Sequence, residues 1–382
     1  MKILLVGVST RSIAESANHS GYEIAAVDAF GDYDLKTLCE SYSLHRDFQI
    51  PFSASGLFTA SRRLSFDAVA YTSNLENHPE IVQRFARRAK VLGNTAQVLR
   101  SVRTWSSLSD TLGRSGFRIP DTIYHGNGRQ SGPRQQWLRK PIKSGGGHGI
   151  AFAQPGRSAG RGYMLQEYVP GLSCSASFVA NQQEAVVIGL TEQLVGSSEF
   201  GADGFRYCGN ILPLETVQNR DEAANILEQV QRIANLITRE FGLAGVNGFD
   251  FVLADGQVWL TEVNPRYSAS MELIEKAYNL SIFDLHVQAI LQNRLPDFDL
   301  DHRLHQIGQR SYGKAILYAE KEGRAPDTRD WMQSEIRDVP FPGENLAEGK
   351  PICTILAAGE SYADCLARLI HRAKAIKGEI YA

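Results

Sequence analysis

The chain has 382 residues, enough for two or three domains with their own cores. Apolar residues make up 43% and charged residues 21%, with a formal net charge of −2, which describes a soluble protein and excludes a strongly basic nucleic-acid or membrane-surface binder. The stretch "MKILLVGVSTRS" reads as a first strand, not a signal peptide. Scattered cysteines at 39, 174, 208, 353 and 365 fit reduced thiols, and no apolar run reaches membrane-spanning length, so the cytoplasm is the expected compartment.

In chain order, the apolar run over 2–9 predicts a buried strand, followed by a helix around 11–20 and a strand over 22–30. A third strand over 66–73 and an amphipathic helix over 78–90 continue the alternation. Together they predict a Rossmann-like parallel sheet over 1–95. Gly7 stands where a dinucleotide fingerprint would begin, and Asp28 could mimic its ribose-binding acid. The later glycines are missing from "GVSTRS", so the sheet is read as a structural or substrate-side domain.

Residues 106–126 predict a helix ending near Gly113 or Gly116 and a short strand after Pro120, with a loop over 126–136. Strands are expected over 163–169, 173–180 and 184–195, with a loop over 155–162. A long amphipathic helix over 220–242 is closed by Gly242. Residues 246–266 predict a strand, a turn at Asp255–Gly256 and a second strand. The tail has strands over 313–320 and 351–360 and a helix over 361–376.

Alternate side chains of a strand share a face, so Glu262 and Asn264 point the same way. A two-residue loop at Asp255–Gly256 would put Asp250 opposite Thr261, on the wrong face. A three-residue loop bulged at Gly256 would pair Asp250 with Leu260 and bring Asp250, Glu262 and Asn264 together. The expectation is therefore an odd-length loop. Two carboxylates and an amide oxygen at one spot call for a hard cation, and oxygen donors favour Mg²⁺.

The stretch "RKPIKSGGGHGI" (139–150) is not a Walker A loop, because its lysines precede the glycines and a strand is expected after them. A strand lysine plus a mobile glycine loop suggests a lid over phosphates. Lys140 with "SGGGHGI", the hinge "LQEYVPG" (165–171), and "GFDFVL" paired with "LTEVNPR" resemble the ATP-grasp superfamily over about 95–290. "GKAILYAE" followed by "GKPICTILAAGESYADCLARLIHRA" resembles the C-terminal domain of biotin carboxylase and its relatives.

The resemblance implies an α/β and α+β chain in three parts. These are a Rossmann-like domain (1–95), an ATP-grasp domain (96–295, lid about 135–170), and a biotin-carboxylase-C-like mixed β/α region (296–382) packed on the core. It implies that Lys140 and Lys143 hold ATP phosphates under a flap formed by Ser144, Gly145, Gly146, Gly147, His148 and Gly149. His148 is either a phosphate contact or a solvated loop side chain. Main-chain groups of Glu167, Tyr168 and Val169 would hold adenine, Asp250, Glu262 and Asn264 one or two Mg²⁺ ions, and Arg266 would face the reacting centre alongside Lys140.

Departures from the family pattern are also visible. Thr104–Trp105 replace a common Asp-Lys pair, with Arg103 as the substitute. No acid follows the hinge glycine, with Glu192 as its replacement. Ser268 and Ser270 stand where biotin carboxylase carries its bicarbonate-handling Gln and Glu. Arg206, Tyr207, Asn210 and Ser268 are the substrate candidates. The implied activity joins a small-molecule carboxylate to an amine through an acyl phosphate, releasing ADP. Carboxyphosphate chemistry and a non-catalytic ATP-binding regulator are the alternatives. The combination "RYCGN…EVNPRYSASMELIE" further resembles a branch tied to one-carbon metabolism with methanopterin-type cofactors. A homodimer is the candidate assembly.

Overall fold

The computed structural model describes residues 1–124, 136–215 and 220–381, so the loop expected over 126–136 lies, but for Gln136, outside the described residues. The chain opens with β1 (Lys2–Val6), α1 (Arg11–His19), β2 (Glu23–Asp28), α2 (Tyr33–Leu38), β3 (Glu40–Ser43), α3 (Ala54–Ser61), β4 (Ala68–Tyr71), α4 (Pro79–Ala86) and β5 (Lys90–Leu92). The strands form one parallel sheet in the order β3-β2-β1-β4-β5.

Both faces of this sheet are covered, which is why its central strands are apolar throughout. Ile3 and Leu5 pack with Ile13, Ala14 and Ala17 of α1. Leu4 and Val6 turn the other way, toward Leu57, Val82 and Phe85. Strand order reverses between β1 and β4, so a crevice opens beyond their carboxyl ends. Gly7 packs against the end of β4 there, where a Cβ would lie 1.8 Å from Thr72 Oγ1. Asp28 is consumed by its own loop, accepting from Thr10 N (2.9 Å), Thr10 Oγ1 (2.8 Å), Phe30 N (3.0 Å) and Gly31 N (2.6 Å).

After α5 (Ala96–Val102) and α6 (Trp105–Arg114) comes a small antiparallel sheet. It is built of β6 (Thr122–Ile123), β7 (Trp137–Pro141), β8 (Ala151–Phe152) and β9 (Tyr163–Glu167), in the order β6-β9-β7-β8. Among the described residues its own core is slight, centred on Trp137, Ala159 and Leu165. A lid held by so few apolar contacts is cheap to move.

The main body is one antiparallel sheet of β10 (Leu172–Asn181), β11 (Ala185–Val195), β12 (Tyr207–Leu212), β13 (Ala244–Ala254), β14 (Gln257–Asn264), β15 (Ser311–Tyr318), β17 (Ile336–Arg337) and β19 (Pro351–Gly359). Their order is β14-β13-β10-β11-β12-β15-β19-β17. Short β16 (Gly323–Arg324) and β18 (Asn345–Leu346) pair separately. The tail therefore extends the central sheet through β12 and β15 rather than packing on it as a separate layer.

Helices α7 (Arg220–Phe241), α8 (Met271–Tyr278), α9 (Ile282–Gln292), α10 (Leu300–Ile307) and α11 (Tyr362–Tyr381) complete the fold. In α7 the helical spacing of Ile226, Val230, Ile233, Ala234 and Ile237 makes one stripe, fully buried against the sheet. Gly242, at φ +69°, ends the helix, its N–H bonding Thr238 O at 2.8 Å. Four cysteines are buried and Cys39 is half-buried; all are free thiols.

Candidate active site

The β13–β14 hairpin corrects the expected loop. Ala254 pairs with Gln257, so the turn has two residues, with Asp255 (φ 51°) and Gly256 (φ 68°) both left-handed as a type I′ turn requires. The odd residue sits inside the ladder instead. Phe251 pairs with Leu260 but Asp250 with Glu262, leaving Thr261 as a bulge. That bulge returns Asp250, Glu262 and Asn264 to one face, next to the chemistry, as bulges commonly do. Phe249, Phe251, Leu253 and Val263 are buried on the opposite side.

Asp250 is held from both sides: Gln193 Nε2 donates to Oδ1 at 2.9 Å and Asn264 Nδ2 to Oδ2 at 3.0 Å. Three cations surround the set. Arg103, the residue after α5, donates to Glu262 Oε1 (2.6 Å), Val263 O (3.0 Å) and Asn77 Oδ1 (2.8 Å). Lys140, on β7 of the lid, reaches Thr261 O at 3.3 Å and Gln166 Oε1 at 3.4 Å. Arg266 donates to Glu76 Oε1 (2.9 Å) and Asn264 Oδ1 (3.2 Å). A cleft between lid and sheet joins Arg103, Trp105, Tyr124, Lys140, Ser144 and Glu262.

Charge is unevenly balanced here. Burial, then the facing Glu262, pushes the Asp250 carboxyl up to about 6 against the opposing pull of Asn264, Arg266 and Lys140. Burial works on Glu262 too, but Arg103, Lys140 and Arg266 together hold its carboxyl below the usual range. A divalent cation between the carboxylates would relieve that conflict, so the residues present fit Mg²⁺. No group of three or more His, Cys, Asp or Glu placed to hold a metal ion occurs among the described residues. The donor set is thus two carboxylates and an amide, leaving positions for phosphate oxygens and water.

The other expected residues divide. Lys143 is exposed and its charge is felt by Glu80, away from the cluster. Glu192 is not on this face: Gln193 contacts Asp250, and the preceding Glu192 points through the opposite face, accepting from Tyr362 OH at 2.6 Å. The ribose role expected of Glu192 is therefore corrected. Burial pushes its carboxyl up, as suits a group away from the cations. At the hinge, Glu167 N and Tyr168 N are spent on Asp121 O (2.8 Å) and Gln136 O (2.9 Å).

In the flap, Gly146, Gly147 and Gly149 have φ of 62°, 74° and 76°, so side chains are disfavoured at all three. Exposed His148 lies near Arg206 and Lys350; desolvation, then their charges, pushes its imidazole down. Arg206 faces the tail, Nη1 reaching Gly349 O at 3.4 Å. Tyr207 hydroxyl bonds Asn210 Oδ1, whose Nδ2 donates to Thr191 Oγ1 at 2.8 Å. Ser268 and Ser270 hydroxyls bond each other at 3.1 Å, with Ser175 (3.3 Å) and Ser177 (3.2 Å) joining at Ser270.

Sequence reasoning missed Glu76, Asn77 and Gln193. Glu76 is only 2% exposed, and its Oε2, like Asn74 Oδ1, is buried without a partner. The signal for Gln193 was its neighbour: Glu192 drew attention for its charge, and strand alternation decided between them.

Residues 106–270 match the ATP-grasp domain family. An uncharacterized protein of Methanocaldococcus jannaschii is 22% identical over 375 residues, covering 94% of this chain and 88% of that one. Among solved structures, biotin carboxylase from Campylobacter jejuni in its β,γ-ATP complex aligns with a TM-score of 0.71 at 13% identity, covering 99% of this chain and 91% of its own. An L-amino acid ligase from Bacillus licheniformis aligns with a TM-score of 0.66 at 15% identity, covering 100% and 98%.

Proposed function

We propose, from the premise that the chain carries an ATP-grasp domain over residues 106–270, that it is an ADP-forming ligase joining a carboxylate to an amine. The convergence of Asp250, Glu262 and Asn264 with Lys140 and Arg266 carries this reading. The fold shared with an L-amino acid ligase supports it. In this reading the chain works in three parts, 1–95, 96–295 and 296–382, with the cleft lined by the second.

Lys140 approaches from the lid and holds the phosphates, while the glycine flap covers them. Glu262, Asp250 and Asn264 would hold Mg²⁺. Bound Mg²⁺ supplies charge neutralisation on the phosphate oxygens. A carboxylate oxygen attacks the γ-phosphorus, the bond to the β-phosphate oxygen breaks, and ADP leaves. Arg266, fixed by Glu76 and Asn264, stabilises negative charge at the acyl phosphate and then at the tetrahedral adduct. The amine attacks the acyl carbon, phosphate departs, and one amine proton is lost to give the amide. Glu76 Oε2, a buried acceptor without a donor, suits an enclosed N–H group beside Arg266.

Place in one-carbon cofactor synthesis is the finer reading, with the amine on a cofactor precursor. ADP release across a panel of carboxylates, with hydroxylamine trapping acyl phosphate as hydroxamate, tests the activity. Turnover driven by bicarbonate alone would contradict it.

A further inference from the structure

We propose that the loop 200–207 is the latch for the glycine flap, so that the segment carrying Arg206 and Tyr207 also sets how firmly nucleotide is enclosed. The inference rests on the nucleotide site proposed above and adds the surface against which the flap closes.

Three observations meet at that loop. Tyr207 N donates to Gly146 O at 3.1 Å. At Gly147, where φ is +74°, a Cβ would sit 1.8 Å from Phe205 O and 2.7 Å from Phe205 C, so the flap lies directly on the loop backbone. The Phe205 ring meets Phe152 of β8 edge-on at 5.4 Å and hinge residue Tyr168 at 6.3 Å, while Phe152 and Tyr168 stand 5.2 Å apart. Phe152 remains 52% exposed, so the aromatic contact is shallow and reversible.

The loop is the fixed member of the pair. Gly196 N bonds Arg206 O at 2.8 Å, and Arg206 N bonds Asp203 O at 3.0 Å. A Cβ on Gly196 would lie 2.3 Å from Gly204 O, so the loop's base is closed backbone to backbone. Arg206 ties it to the tail through Gly349 O (3.4 Å) and the Tyr318 ring (5.1 Å). The flap, by contrast, belongs to the lid with the slight core. From Tyr207 the contacts run on through Asn210 and Thr191 to the strand whose Gln193 holds Asp250. Flap docking and the order of the metal-binding face are thereby joined through one loop.

The test compares Gly147→Ala with Gly156→Ala. Gly156 is in the same lid with the same φ of +74°, but a Cβ there meets nothing within 4 Å, so the pair separates collision from backbone strain. Two readouts apply: affinity for the non-hydrolysable analogue AMP-PNP with Mg²⁺, and the rate at which trypsin cuts after exposed Lys143 in the nucleotide-free protein. Gly147→Ala should weaken AMP-PNP binding about tenfold and speed cleavage several-fold relative to Gly156→Ala. Phe205→Ala, outside the cleft, should move both readouts the same way by a smaller factor. Equal cleavage and equal binding in the two glycine variants would overturn the latch. If the unaltered protein fails to bind Mg·AMP-PNP, the nucleotide reading falls, and the cleavage rates still decide the latch alone.

Discussion

Two buried charge clusters, one around Arg11 and one around Asp250, hold the carboxylates of Glu272 and Asp250 in opposite ways. In one, Arg11 (1% exposed) bonds Glu272, Glu15 (2.8 Å) and Asp338 (3.1 Å), and Lys314 reaches Glu272 at 2.5 Å. Burial alone would raise Glu272, yet Arg11 and Lys314 hold its carboxyl far below the usual range. In the other, Asp250 is pushed up to about 6, with Glu262 opposite, and Glu76, bound to Arg266 through one oxygen, leaves the other without a donor. At Glu272 the first cluster is paired on both sides and fastens α1, α8 and β15 together. In the second, Arg103, Lys140 and Arg266 face the carboxylates, yet Asp250 stays raised against Glu262, the condition of two carboxylates converging on a spot built to receive a cation.

That contrast can be broken by substitution. Asp250→Asn, which removes a carboxylate that burial already raises, should lower turnover by a factor of at least about 10³ while changing unfolding free energy by no more than ~1 kcal/mol. An inactive variant that is also unfolded would merge the two clusters into one kind. Glu272→Gln should do the reverse, costing about 3–5 kcal/mol in denaturant unfolding because Arg11 and Lys314 are left buried without their carboxylate.

The pH dependence should differ in sign. Glu272, depressed in the fold, contributes stability that is present above its ordinary pKa of about 4.3 and is lost as pH falls further. Asp250, raised in the fold, costs the ligand-free protein stability as pH climbs from about 4 toward 6. Mg²⁺ with nucleotide should therefore raise the melting temperature more at pH 7.5 than at pH 5, read by thermal denaturation. The smallest effect belongs to Glu192→Gln: KM for ATP should change less than twofold, since the side chain faces Tyr362 across the sheet.

What the sequence shows well is whatever repeats locally. The strand–helix alternation, the α7 stripe and the Asp-Gly turn are set by neighbours within a few residues, and the structure has elements in those places. Short β3, β5, α2 and α3 went unread because three to eight residues give too little periodicity. The hairpin register failed for a different reason. Both loop lengths were compatible with the turn residues, and the bulge at Thr261 is decided by pairing further along the ladder. Glu76 lies 190 residues from Arg266, in the turn after β4 of the N-terminal sheet, so no spacing connects them. Glu192 misled because a charged residue was preferred to the adjacent glutamine, although only one of two neighbours on a strand can face the site.

The most direct test is hydroxamate formation from a carboxylate substrate with ATP, Mg²⁺ and hydroxylamine, measured with nucleotide product in the same reaction. The account predicts one ADP per hydroxamate and loss of both in Asp250→Asn. AMP as the nucleotide product, or ADP release with no hydroxamate from any carboxylate tested, would contradict it.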